Sequence, residues 1–298
     1  MLARARTSVL AERTAVLDAG GLVRAGSGSL RPAHSVLSWA VMRTVALLLA
    51  AACALAAPSA DAAPKRRAKK TQEPKPWCAP EVNELSDHVC YFDGGVPSDG
   101  RRTLVIYLHG ALALTPGFQH LQQRAMGIQA KRHSFTVLLP TAPRDGVGYV
   151  WPTSQKAQQE QEVKILAGLR KARADLERRV GHGFDETFVV GFSSGAYYGS
   201  SLAIRGALDV DGYIVLAGGS SWVRPGAGDG KRAPVFVGVS AADRQTAGHS
   251  RSLAGTLRSM HWPARVEERQ TGHLVDWIFM AHGISWLRSQ TPYEPPES

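Results

Sequence analysis

Gly191-Phe192-Ser193-Ser194-Gly195 sets serine between two glycines, just after an apolar run at 186–192 and just before a stretch that can form a helix. A serine hydroxyl is a weak nucleophile. It attacks a carbonyl carbon only when a base takes its proton and an acidic group orients that base. On a sharp strand-to-helix corner, the Ser193 oxygen would stand above the sheet. It would also lie beside the free N–H groups of a helix start, which favour negative charge. Glycines suit such a corner because its backbone angles are unfavourable and because side chains at 191 and 195 would strike the adjoining strand and helix. An ordinary tight turn is the competing reading.

The base should follow the last strand, and "QTGHLVDWIF" supplies His273 between an apolar-polar run at 264–270 and helical spacing at 274–288. His249, His261 and His282 lie in or beside helix-like segments and read as surface or structural groups. The acid should follow the preceding strand, where "APVFVGVSAADRQT" presents Asp243. A carboxylate there would accept the Nδ1 proton of His273; the alternative is a helix cap. Asp229 is the reserve candidate, and Asp276 is too near His273 along the chain. An oxyanion needs two N–H donors. Ser194 is one, and the loop 109–112 offers Ala111, with Leu112 as the alternative. His109 reads as a brace for that loop rather than as a proton-transfer group.

These residues need a scaffold. Short β-branched or apolar runs occur at 101–110, 134–140, 186–192, 211–218 and 233–240, with a more polar run at 264–270 suited to an edge. Continuous apolar runs of this length fit strands buried on both faces, as in a parallel sheet. Helical spacing lies between them: 156–180, with Val163, Ile165, Leu166, Leu169 and Leu176, then 246–260 and 274–288. The alternation predicts a layered α/β domain over 77–290, with no internal repeat and little room for a lid, followed by a tail at 291–298.

Most of the formal charge of +10 lies before residue 75, so the remainder is near neutral and shows no basic stripe suited to nucleic acid. Residues 42–63, "MRTVALLLAAACALAAPSADAA", have a positive start, an apolar centre and small-residue cleavage sites, the pattern of a signal peptide. Export, to the periplasm or outside the cell, is the expectation, with no stable membrane span after cleavage. An uncleaved anchor and lipid attachment at Cys53 are alternatives. Residues 1–41 fit this poorly, and Met42 is the expected start; a transit peptide is the lesser reading. Residues 64–76 form a basic, proline-containing linker. Cys78 and Cys90 remain after cleavage and read as a disulfide in an exported protein, against two buried thiols.

The order Ser193, Asp243, His273, the "GFSSG" corner, the "HGA" loop and "TGH" resemble the α/β-hydrolase fold over roughly residues 100–290. Within it the chain looks like small lidless members: secreted esterases of the polyhydroxybutyrate-depolymerase and feruloyl-esterase type, and dienelactone-hydrolase-like enzymes. "LPTAPRDGVGYVWPTSQ" is similar to the carboxylesterase and acyl-thioesterase group. The resemblance implies a mostly parallel central sheet with helices on both faces, no metal or cofactor, and a small-molecule or polymeric ester as substrate. It also implies that Trp151 lines the acyl pocket, a packed surface tryptophan being the alternative reading; Leu112 and Trp222 are further candidates for lining the substrate site. A peptidase or thioesterase using the same groups is one alternative, and an inactive hydrolase fold used as a binding protein is another.

Overall fold

Five runs are buried at every position: β3 (Thr103–Leu108), β5 (Thr136–Leu139), β8 (Glu186–Phe192), β9 (Gly212–Leu216) and β10 (Val235–Ser240). Such strands lack polar alternation because both faces of the sheet are covered. The structure is a computed structural model describing residues 76–115, 117–146, 148–220 and 231–292. The leader 1–41, the segment 42–63 with Cys53, the linker up to residue 75, Trp222, Asp229 and the tail from residue 293 lie outside the described residues.

With the hairpin β1 (Asn83–Ser86) and β2 (Val89–Asp93) and the strand β11 (Ala264–Arg269), these runs form an eight-stranded sheet, ordered β1-β2-β5-β3-β8-β9-β10-β11. From β5 to β11 every pair is parallel, and the hairpin adds antiparallel on β5. β11 is the mixed-burial edge that its polar sequence predicts.

The helices are α1 (His120–His133), α2 (Gln155–Val180), α3 (Ser194–Arg205), α4 (Ala247–Ser259) and α5 (Trp277–Gln290). Alternate residues of β3 feed two cores. Leu104, Ile106 and Leu108 pack in one core with Leu169 of α2, Leu202 of α3 and Leu253 of α4. Val105 and Tyr107 pack in the other with Met126 of α1 and Phe279 and Leu287 of α5. Helices therefore cover both faces. On α2, Ile165, Leu169 and Leu176 are buried, but Val163 is 84% exposed and does not belong to the inner stripe.

Three features depart from the sequence reading. The β1–β2 hairpin was not anticipated, nor was a small sheet of two-residue strands, β4 (Leu112–Ala113), β6 (Arg144–Asp145) and β7 (Gly148–Tyr149), ordered β4-β7-β6. The third is α1, whose inner face mixes polar and apolar residues: Gln123 and Gln129 are buried alongside Met126 and Ala130, while Leu121 and Ile128 are 69% and 58% exposed. Gln123 is satisfied inside because its Oε1 accepts from the Ala79 amide at 2.7 Å and its Nε2 donates to the Trp77 carbonyl at 3.2 Å. A buried amide with partners costs little; one without them is expensive.

Cys78 and Cys90 form a disulfide across 12 positions, tying the first described residues to β2. In the chain-entropy account a loop of this size stabilises by about 3 kcal/mol. At the amino ends of the central strands, buried Glu186 accepts from Arg101 Nη1 at 3.0 Å, Arg288 Nε at 3.0 Å and Thr103 Oγ1 at 2.6 Å. That cluster fastens the end of α5 to β3 and β8. No helix among the described residues is long and apolar enough to cross a membrane.

Candidate active site

The parallel strand β3 lies between β5 and β8, so the chain leaves it first to one side and then to the other. In open α/β sheets the crevice beyond the carboxyl ends of the strands at such a reversal is where ligands bind. Ser193 follows β8, and the loop 109–111 follows β3.

Ser193 sits at φ 52°, ψ −117°, an unfavourable conformation for a residue with a side chain. Such a position costs on the order of 1–3 kcal/mol and persists only where its surroundings enforce it. Here the Ser193 amide donates to the Leu216 carbonyl at 3.1 Å, and the Ala196 amide donates to the Ser193 carbonyl at 2.9 Å. The flanking glycines are sterically required. A Cβ on Gly191 would lie 2.4 Å from the Gly195 carbonyl oxygen, and one on Gly195 would lie 1.9 Å from that of Leu108.

His273 Nε2 is 3.1 Å from Ser193 Oγ, and His273 Nδ1 is 2.6 Å from Asp243 Oδ2. A carboxylate only accepts, so Nδ1 carries the hydrogen and Nε2 is left to accept from the serine. The Phe192 ring packs on the imidazole with centroids 5.0 Å apart. Asp243 is buried, Asp243 Oδ1 accepts from the amides of Gln245 at 3.0 Å and Thr246 at 3.3 Å, and Oδ2 accepts from the Thr246 hydroxyl. Burial pushes its carboxyl pKa upward, but the Thr246 hydroxyl, the His273 ring and the Gln245 amide outweigh burial and hold it below the ordinary value. Asp243 thus anchors the turn ahead of α4 through Oδ1 and meets His273 through Oδ2, while Thr246 rather than Asp243 is the N-cap of α4.

Ser194 opens α3, and its amide has no acceptor among the described residues; its hydroxyl donates to the His109 carbonyl at 3.4 Å. The 109–111 loop passes close by, since a Cβ on Gly110 would lie 3.2 Å from that of Ser193. Ala111 is exposed, whereas Leu112 is buried and paired with Tyr149 in β4–β7. His109 braces this loop. Its Nδ1–H donates to the Gly110 carbonyl at 2.6 Å and its Nε2 accepts from the Ala142 amide at 3.0 Å. Burial lowers His109 to about 4, so the ring stays neutral near pH 7.

Trp151 is 1% exposed and lies between His109 and Tyr198, at centroid distances of 5.5 and 5.8 Å. It therefore packs against the loop histidine from within the core. Asp276 caps α5 through the Ile278 amide at 2.8 Å and pairs with Arg269 at 3.1 Å. His249 packs against Tyr197 and His282 pairs with Glu267. Two polar neighbours escaped the sequence reading. Thr246, three residues after Asp243, had a visible signal in the Asp-x-x-Thr spacing of a helix start; Gln122 had none.

No family model matches the chain, and no curated protein matches it. Among solved structures, a carboxylesterase from Mesorhizobium loti is similar at 19% identity with a TM-score of 0.52, covering 70% of this chain and 99% of that chain. The Bacillus cereus carboxylesterase is similar at 13% identity and a TM-score of 0.49, covering 68% of this chain and 94% of that one. At 19% identity the likeness to the Mesorhizobium loti carboxylesterase is one of fold. The chain has the α/β-hydrolase fold, with a mostly parallel sheet, helices on both faces and no large lid among the described residues.

Proposed function

We propose that this protein is a serine hydrolase that cleaves carboxylic esters through an acyl-enzyme. The reading is carried by one observation: an unbroken line from Ser193 Oγ through His273 to Asp243, at 3.1 and 2.6 Å, starting from a strained corner. Ser193 Oγ attacks the ester carbonyl carbon as its proton passes to His273 Nε2. Asp243 stabilises the resulting imidazolium and remains ionised. The amides of Ser194 and Ala111 receive the oxyanion. The tetrahedral species collapses, His273 protonates the departing alkoxide, and the acyl group stays on Ser193. Water then attacks the acyl carbon, giving its proton to His273, and collapse releases the acid and returns the proton to Ser193. The likeness of fold to a carboxylesterase favours an ester over a peptide bond. The disulfide and the 42–63 segment favour an exported protein.

The test is hydrolysis of p-nitrophenyl acetate by the purified protein and by Ser193→Ala. The expected result is turnover in the parent and none above background in a variant with an unchanged circular dichroism melt. Retained turnover in the variant, or a parent that neither hydrolyses esters nor reacts with a fluorophosphonate, would overturn the reading.

A further inference from the structure

Gly110 is the residue of the oxyanion loop with the most backbone freedom, and both of its peptide groups are held. Its N–H donates to Gln122 Oε1 at 3.1 Å, and its carbonyl accepts from His109 Nδ1 at 2.6 Å. The first bond orients the 109–110 peptide. The second orients the 110–111 peptide, whose N–H belongs to Ala111. Across a trans peptide the carbonyl and the N–H point in opposite directions. A Gly110 carbonyl turned to the His109 ring therefore turns the Ala111 N–H away from that ring.

Gln122 acts at a distance from the serine, yet its own geometry is over-determined. The same Oε1 accepts from the Tyr107 hydroxyl at 2.9 Å, and burial keeps that phenol protonated as a donor. An amide N–H and a phenol both donate, so the oxygen of Gln122, not its nitrogen, must face the loop. Gln119, at the N-cap of α1, and Gln123, within it, point elsewhere. Gln119 Nε2 donates to the Trp77 carbonyl at 2.8 Å, and Gln123 bonds to the same carbonyl. Gln122 alone of the three reaches the loop beside Ser193.

We propose that Gln122 is a positioning residue for the oxyanion hole: by accepting the Gly110 N–H on an oxygen anchored by Tyr107, it works with His109 to aim the Ala111 N–H at the developing oxyanion. Glycine without such anchors samples several φ/ψ wells, and a peptide flipped in any of them presents a carbonyl where a donor is needed. This rests on the assignment of Ser193 as nucleophile and Ala111 as donor.

The experiment compares Gln122→Met, which keeps the length and loses the acceptor, with Gln122→Glu, which keeps an acceptor, and with Gln119→Met as a control for contacts between α1 and the chain start. Steady-state kinetics on p-nitrophenyl acetate are normalised to sites titrated by a fluorophosphonate, and each variant is melted. In Gln122→Met, kcat should fall roughly tenfold or more with KM changed less than about twofold. Gln122→Glu should recover most of that loss, and Gln119→Met should retain the parental kcat. An active parent with an unaltered kcat in Gln122→Met would overturn this inference alone, as would a loss that Gln122→Glu does not recover. Loss of folding in Gln122→Met leaves the decision to Gln122→Glu, in which the proposal requires near-parental kcat and a lower value overturns it. An inactive parent, or an active Ser193→Ala, would overturn the underlying reading as well.

Discussion

Thr246 donates its hydroxyl to Oδ2 of Asp243, the oxygen that also receives the Nδ1–H of His273 at 2.6 Å. The carboxylate is thus held on both oxygens, because Oδ1 is occupied by the amides of Gln245 and Thr246. It cannot rotate away from the imidazole without losing several bonds in a buried setting. The turn before α4 positions the acid, and the acid in turn stabilises the turn.

Removing the charge and removing its anchor should therefore differ in degree. Asp243→Asn is expected to lower kcat by roughly ten-thousandfold, because an amide can present a donor to Nδ1 and leave the wrong tautomer. Thr246→Val keeps the charge and the shape but loses the hydroxyl, and should cost roughly three- to tenfold in kcat together with about 1 kcal/mol of stability. Thr246→Ser should behave like the parent. Ester kinetics and urea unfolding on the three variants check this ranking; equal losses in Asp243→Asn and Thr246→Val would contradict it.

Stability should depend on pH through His109. Burial lowers its pKa to about 4, the Gly110 carbonyl acting in the opposite direction, while an unfolded histidine titrates near 6.5. Between those values the unfolded chain binds the extra proton, so stability is full above about pH 6.5 and is lost as the pH falls towards 4. The size is about 3 kcal/mol, from roughly 1.4 kcal/mol for each unit of difference. Urea midpoints at pH 7 and pH 4.5 should therefore diverge less in His109→Asn than in the parent. The same divergence in both would exclude His109 as the source.

Glycine substitutions should separate a required corner from an open helix surface. Gly195→Ala drives a methyl onto the Leu108 carbonyl oxygen, a backbone atom that cannot move without displacing β3. A loss of about 3 kcal/mol or more is expected, with activity falling in step. Gly255, within α4, has nothing within 4 Å of an added Cβ. Gly255→Ala should stabilise by about 1 kcal/mol, since alanine fits a helix interior better than glycine. Thermal melts of the two variants measure both effects, and a Gly195→Ala protein as stable as the parent would contradict the packing described.

Much of the fold was legible because burial on both faces leaves a plain mark: β3, β8 and β10 are apolar runs without alternation, and the longest helix shows Ile165, Leu169 and Leu176 at helical spacing. The same logic hid α1, whose inner face carries Gln123 and Gln129 and whose outer face carries Leu121 and Ile128. Gln123 is tolerated inside because backbone groups meet it, and those groups lie 44 and 46 positions away in the disulfide-bearing segment. Nothing in the composition of α1 announces partners at that separation. The two-residue strands β4, β6 and β7 are too short to set up a periodicity.

The sequence by itself determined the kinds of residue and their setting: a serine between glycines at a strand end, a histidine after the last strand, an aspartate after the one before, and strands apolar enough to form a buried sheet. Only the tertiary structure decided which atoms meet. Ser193 and His273 are 80 positions apart and yet 3.1 Å apart in space, and Leu112 but not Ala111 is taken up in strand pairing. It also divided Asp243 between its two neighbours and turned Gln122 towards Gly110. The physical reason is that spacing along a chain constrains only local backbone geometry. The distance between two loop atoms is set by the strands that carry them, and so by the packing of the whole sheet.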